Sequence, residues 1–128
     1  MVHDNYLSGD NKTALLNGVP LANAKFSGWD TSLILTTDTI TIQSSPIKET
    51  WLKAIDFGST VRTWGDCFGY YLVCTGQADL MADTNLKPHD ILPLLPLLRG
   101  AGLIIQQFEC DDYSNIIACK REVASYLF

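Results

Sequence analysis

The chain has 128 residues, a formal net charge of −5, and only nine Lys and Arg, which are scattered. That is the length of one domain with a real core, and the acidic balance excludes nucleic acid and an anionic membrane surface, since both attract basic patches. The longest apolar run, residues 91–98, is broken by Pro93 and Pro96, so nothing reads as a membrane span.

Residues 1–30 are rich in Asn, Gly, Asp and Ser. Asn17-Gly18, between Leu15-Leu16 and Val19-Pro20, predicts a tight hairpin, because both turn residues tolerate positive φ. Residues 31–37 predict a buried strand. The run Thr39-Ile40-Thr41-Ile42 alternates and reads as a short second strand or part of a long loop. Ser44-Ser45-Pro46 reads as a helix start. Apolar residues at 47, 51, 52 and 55 then give helical spacing, with Trp51 and Leu52 on the buried face and Gly58 as the stop.

Residues 60–64 predict a strand. Residues 66–76 predict a helix with Phe68, Leu72 and either Cys74 or Tyr71 inward. A short strand follows over 78–82, then an apolar helix over 88–99 that Pro96 should kink. Gly100-Ala101-Gly102 stops it. Strands over 103–108 and 115–119 and a terminal helix over 120–127 complete the chain. This alternation predicts an α/β fold, a mixed sheet flanked by helices.

The four cysteines, Cys67, Cys74, Cys110 and Cys119, have no zinc-ligand spacing and read as buried structural thiols. The polar, acidic start Met1-Val2-His3-Asp4-Asn5 lacks a signal-peptide pattern. Reduced thiols and a cytoplasmic location are the expectation. The 47% hydrophobic content is high for a small domain and suggests apolar surface reserved for a partner.

Three places carry possible chemistry. Asp90 follows Pro88-His89 at the first turn of an otherwise apolar helix. There it is either a plain helix-end carboxylate or an oxygen ligand for a metal. Asp83 lies seven residues earlier, at the end of a predicted strand, and is either a solvated loop acid or a partner for a cation. Gly65-Asp66-Cys67 sits at a strand-to-helix junction, where backbone N–H groups favour anions and Asp66 can cap the helix. His89 reads as a packing residue and Arg62 as structural.

Read in order, Arg62-Thr63-Trp64-Gly65-Asp66-Cys67, Thr75-Gly76-Gln77-Ala78-Asp79, Leu86-Lys87-Pro88-His89-Asp90-Ile91 and Gly100-Ala101-Gly102 form a set. This set resembles the second half of the inositol monophosphatase family. It looks most like the histidinol-phosphatase branch. The resemblance implies a fold equivalent to the second domain of that family's layered sandwich. Residues 1–30 would be a hairpin remnant of its first domain, and residues 31–128 its C-terminal α/β domain.

The resemblance also assigns roles. Asp90 would bind catalytic Mg2+, standing in a Trp-Asp position where this chain has His89-Asp90. Asp83 would contact the organic part of a small phosphorylated metabolite, and Gly65, Asp66 and Cys67 would line the substrate pocket. The family's Ala-Gly-Gly is Ala101-Gly102-Leu103 here. Its first half carries a glutamate and an Asp-Pro-Ile-Asp-Gly-Thr type motif, and no Asp-Pro or Asp-Gly dipeptide occurs in this chain. Two-metal hydrolysis needs several carboxylates around ions about 3.5–4 Å apart.

The expectation is therefore the C-terminal half of a magnesium-dependent phosphate monoesterase of the histidinol-phosphate or inositol-phosphate type, split or truncated and inactive alone. It would work as a homo-oligomer or with a complementary N-terminal fragment. The alternative is a truncated, non-catalytic interaction module that kept the fold.

Overall fold

The structure, a computed structural model, describes residues 7–21, 25–64 and 66–128, the side chains of residues 66 and 67 excepted. Its first three strands, β1 (Leu7–Gly9), β2 (Ala14–Leu16) and β3 (Val19–Pro20), form a small antiparallel sheet. Asn17 and Gly18 make the β2–β3 turn with φ of 53° and 82°, the left-handed pair a two-residue hairpin needs.

The main sheet has five strands in the order β5-β4-β6-β8-β7, with β4 at Leu33–Thr36, β5 at Thr60–Thr63, β6 at Leu80–Asp83, β7 at Ile104–Gln107 and β8 at Ile116–Cys119. β5, β4 and β6 run parallel, whereas β8 is antiparallel to both of its neighbours. The sheet is mixed, as the sequence pattern predicts.

Both faces are covered, and the side chains alternate between them with the period of two that a pleated strand imposes. Ile34, Leu80, Ala82, Ile117 and Cys119 face one core with α1 (Thr39–Gln43), α2 (Lys48–Asp56) and α6 (Arg121–Leu127). Leu35, Met81, Ile116 and Ala118 face the other, with α3 (Asp66–Cys74), α4 (Pro88–Ile91) and α5 (Leu95–Gly100). The small sheet forms a further layer on α5. The contact is so close that a Cβ on Gly9 would lie 3.0 Å from Leu97 Cα, and one on Gly100 would collide with the Thr13 carbonyl.

Four expectations are corrected. Residues 39–42 are helix α1, not strand or loop, because Asp38 caps them: its Oδ1 accepts the Ile40 amide at 2.9 Å and its Oδ2 the Thr41 hydroxyl at 2.7 Å. On α2, Trp51 and Ala54 are buried with Ile47 just before the helix, while Leu52 is turned to solvent. On α3 the inward residues are Tyr70, Leu72, Val73 and Cys74, and Phe68 is 47% exposed. The helix over 88–99 is three pieces, α4, a 3-10 turn at Leu92–Leu94, and α5. Pro93 and Pro96 each fall in the first turn of a new piece, where the missing N–H costs least.

Cys74 and Cys119 are buried and desolvation pushes both thiols up to about 12, but Cys110 is exposed. Cys67 lies outside the described side chains. Among the described residues, no helix is long and apolar enough to cross a membrane.

Candidate functional site

From β4 the chain crosses through α1 and α2 to β5 on one side, and then through α3 to β6 on the other. The carboxyl ends of β4 and β6 therefore flank a point where the strand order reverses. Open α/β sheets leave a crevice at such a point, and ligands bind there. Here the residues following those two strands line an open cleft of about 400 Å³ with Tyr70 of α3 and the start of α4. Thr37, Asp83, Asn85, His89 and Asp90 are among its walls. The chain thus brings Asp83 and Asp90, seven residues apart in sequence, to one cavity.

Asp83 ends β6 and is 8% exposed. Its Oδ2 accepts the Tyr70 hydroxyl at 3.1 Å. Burial is the main influence on its carboxyl and pushes it up from the ordinary value. The hydroxyls of Tyr70 and Thr37 and the Thr84 amide pull the other way, and the charge of Asp90 adds to the rise. Asp83 is not the solvated loop acid that its position allowed. Among the described residues the ion pairs are His89 with Asp90 and Lys120 with Asp79, so Asp83 has no cationic partner there.

Asp90 is different. Its side chain is 44% exposed, and Oδ2 accepts the Lys87 amide at 2.9 Å, across the first turn of α4. This is the helix-end role that sequence reasoning weighed against metal binding. The remaining oxygen, Oδ1, lies 3.4 Å from His89 Nε2. His89 is 83% exposed, which corrects its reading as a packing residue. Arg62 is exposed and donates to the Val61 carbonyl at 2.8 Å.

Whether these groups suit a hard divalent cation turns on their oxygens. Magnesium favours a near-octahedral oxygen shell at 2.0–2.1 Å, with several waters retained. Asp90 offers one oxygen at the cleft mouth that no backbone amide occupies, and Asp83 is a second acid in the same wall. Among the described residues, no three His, Cys, Asp or Glu side chains converge as a metal cluster. The set fits one edge of such an ion's shell, with the rest to come from outside it.

Gly65 lies outside the described residues, and so do the side chains of Asp66 and Cys67. The backbone places Asp66 as the first residue of α3, the helix that carries Tyr70 toward Asp83. Sequence reasoning missed Tyr70, Thr37 and Asn85. The two tyrosine hydroxyls at positions 70 and 71, in an otherwise apolar stretch of α3, were the available signal.

Comparison with known proteins follows the same lines. No protein-family model matches the chain. A histidinol-phosphatase of Chlorobaculum parvum is 27% identical over 89 residues, 70% of this chain and 34% of that protein. A chloroplastic bifunctional phosphatase of Arabidopsis thaliana is 46% identical over 37 residues, 29% of this chain and 11% of that protein.

Among solved structures, an inositol monophosphatase from Zymomonas mobilis superposes with a TM-score of 0.79 at 22% identity, covering 98% of this chain and 53% of that one. One from Anabaena gives 0.74 at 19%, covering 98% and 54%. The chain therefore spans about half the length of these structures and about a third of the Chlorobaculum relative. Fold and sequence together relate this chain to the inositol monophosphatase family, with histidinol-phosphatase-type enzymes among its sequence relatives, over about half of a member's length.

Proposed function

We propose that this chain supplies the substrate-and-metal wall of a magnesium-dependent phosphate monoesterase, of the histidinol-phosphate or inositol-phosphate type, and does not turn over alone. The observation that carries this reading is a buried carboxylate, Asp83, with no counter-charge among the described residues, facing the same cleft as the accessible carboxylate Asp90. In that wall Asp90 is the single metal ligand. Asp83 receives the organic part of the substrate, and an ammonium or imidazolium suits it because it provides the charge Asp83 lacks. Gly65, Asp66 and Cys67, which the family resemblance assigns to the substrate pocket, are proposed to contribute further substrate contacts.

The remaining metal ligands, the attacking water and most of the phosphate contacts come from a second polypeptide surface. That surface is a complementary N-terminal fragment or another subunit. Support for a covered face comes from Trp64 and Phe68, whose rings lie 4.9 Å apart and stand exposed beside the α3 junction, with Tyr71 stacked on Phe68 at 6.0 Å.

The test is complementation. The chain is mixed with a polypeptide bearing the Asp-Pro-Ile-Asp-Gly-Thr type motif and assayed on histidinol phosphate and inositol phosphate with magnesium. Turnover that Asp90→Asn abolishes is expected. No turnover in a complex that demonstrably forms overturns the reading. It would favour the non-catalytic interaction module, on which Asp90 serves only its observed hydrogen bond to the Lys87 amide.

A further inference from the structure

The ring of Tyr70 is set in the apolar core of its sheet face, and the residue is only 3% exposed. On one side it borders an apolar cavity of about 190 Å³ with Leu7, Leu94, Leu97 and Leu98. On the other it borders the polar cleft of Asp83 and Asp90. The hydroxyl stands at the boundary and donates to Asp83 Oδ2 at 3.1 Å. Burial of the ring fixes where that donor points. A phenylalanine would fill the same apolar seat, so packing alone does not call for the hydroxyl. Nor does the hydroxyl neutralise Asp83: it is a dipole, where Asp79, just before the same strand, has a lysine ammonium at 2.6 Å.

We propose that Tyr70 is a positioning residue for this cleft, holding the Asp83 carboxylate in the orientation that receives an organic cation. The proposal rests on the reading of Asp83 given above and adds the residue that sets its geometry. A rigid donor on Oδ2 restrains the rotation of the carboxylate. The carboxylate then stays aimed into the cleft, with no permanent ion pair among the described residues that a ligand would have to displace.

The experiment follows the Asp83 carboxyl carbon and the hydroxyl-bearing ring carbon of Tyr70 by NMR in the full chain. L-histidinol is titrated as the cationic probe and myo-inositol as the uncharged one. In the wild type the Asp83 resonance is expected to move with L-histidinol. In Tyr70→Phe the apparent affinity should fall about tenfold, the order expected for a hydrogen bond to a charged group. Magnesium-dependent shifts at Asp90 and the melting temperature should stay near wild type.

Equal affinity in Tyr70→Phe overturns the Tyr70 proposal and leaves the cleft reading standing. Wild-type chain that binds neither probe overturns both. Should Tyr70→Phe fail to fold, Asp83→Asn still tests the link: the Tyr70 ring carbon is expected to move in that variant, and a fixed resonance overturns the proposal.

Discussion

Lys120 Nζ lies 2.6 Å from Asp79 Oδ1, at the end of β6 opposite Asp83. Both groups are nearly excluded from solvent. The pair is also wired into the backbone, because Asp79 Oδ2 accepts the Leu33 amide at 2.8 Å and the Lys120 amide donates to the Asp79 carbonyl. Two buried acids thus bracket this short strand, Asp79 just before it and Asp83 at its last position, and they are treated in opposite ways. Asp79 is given a cation, whereas among the described residues Asp83, at the crevice, is given hydroxyls and an amide.

Lys120→Met is expected to destabilise the chain by about 3–5 kcal/mol, since it strands the Asp79 charge in the interior. Urea unfolding measures it. The double variant Asp79→Leu with Lys120→Met should lose less than the single one, limited by the orphaned Leu33 amide. A double variant that falls well below Lys120→Met would show that the ion pair itself stabilises the fold.

Asp83 yields a prediction in pH. Its carboxyl is raised in the fold, so the folded state holds that proton more tightly than the unfolded chain does. The stability from this group is therefore full below the ordinary value of 3.8 and is lost as pH rises through the raised one. Asp83→Asn removes that loss, and its side-chain carbonyl can still accept from Tyr70. The variant should show a higher urea midpoint than wild type at neutral pH, and the advantage should shrink as pH falls toward the ordinary carboxylate value. A variant that is less stable at neutral pH would contradict the assignment of burial as the main influence. A gain in stability bought by losing a buried charge is the usual mark of a site kept for binding.

The sheet was legible because its central strands are short, continuous apolar runs, the pattern of strands buried on both faces. Ile34 and Leu35, Leu80 to Ala82 and Ile116 to Cys119 each place successive side chains in opposite cores. Helix α1 was not legible because Thr39 to Ile42 are β-branched, and that propensity outweighed the capping signal of Asp38 immediately before them. The inward face of α3 was misjudged for another reason. Its residues Phe68, Tyr70, Tyr71, Leu72 and Val73 are apolar or aromatic almost all round, so hydrophobicity does not fix the phase of the helix. The site was half legible. Asp83 and Asp90 stood out by their positions at strand and helix ends, whereas the contact between Tyr70 and Asp83 spans two elements and depends on that phase.

Asp38→Ala tests the capping argument. The exposed Asp38 carboxyl is held below its ordinary value, first by the Thr41 hydroxyl and then by the Ile40 amide. Its contribution is present above the ordinary carboxylate pKa and fades as pH falls through the lowered one. The variant should melt a few degrees lower at neutral pH, and the difference should narrow in acid. Identical melting curves at neutral pH would mean that packing of Ile42 alone holds α1.

Gly100→Ala probes the seat of the small sheet on α5. The added methyl meets the Thr13 carbonyl, which belongs to backbone and has little room to move. A cost of about 1–3 kcal/mol is expected, as for overpacked cores. Hydrogen exchange should show it first in the amides of β1 and β2, ahead of β4 and β6. Loss spread evenly over both sheets would mean that the small sheet and the main one unfold as a unit.

Magnesium gives the prediction closest to function. Asp90 Oδ2 is engaged by the Lys87 amide, Oδ1 shares space with a His89 nitrogen that a hard cation does not favour, and Asp83 is buried behind them. An ion at this edge keeps most of its waters. The isolated chain should bind magnesium with a Kd in the millimolar range or weaker, about −4 kcal/mol or less favourable. With magnesium present it should hydrolyse histidinol phosphate and inositol phosphate no faster than a blank. Calorimetry reads the first quantity and phosphate release the second. Asp90→Asn should weaken the binding further and loosen the first turn of α4, because its amide group still accepts from Lys87 but carries no charge. Micromolar affinity, or turnover that Asp90→Asn abolishes, would mean that a fuller ligand set assembles on this chain than Asp83 and Asp90 supply. The case for a second polypeptide surface would then fall.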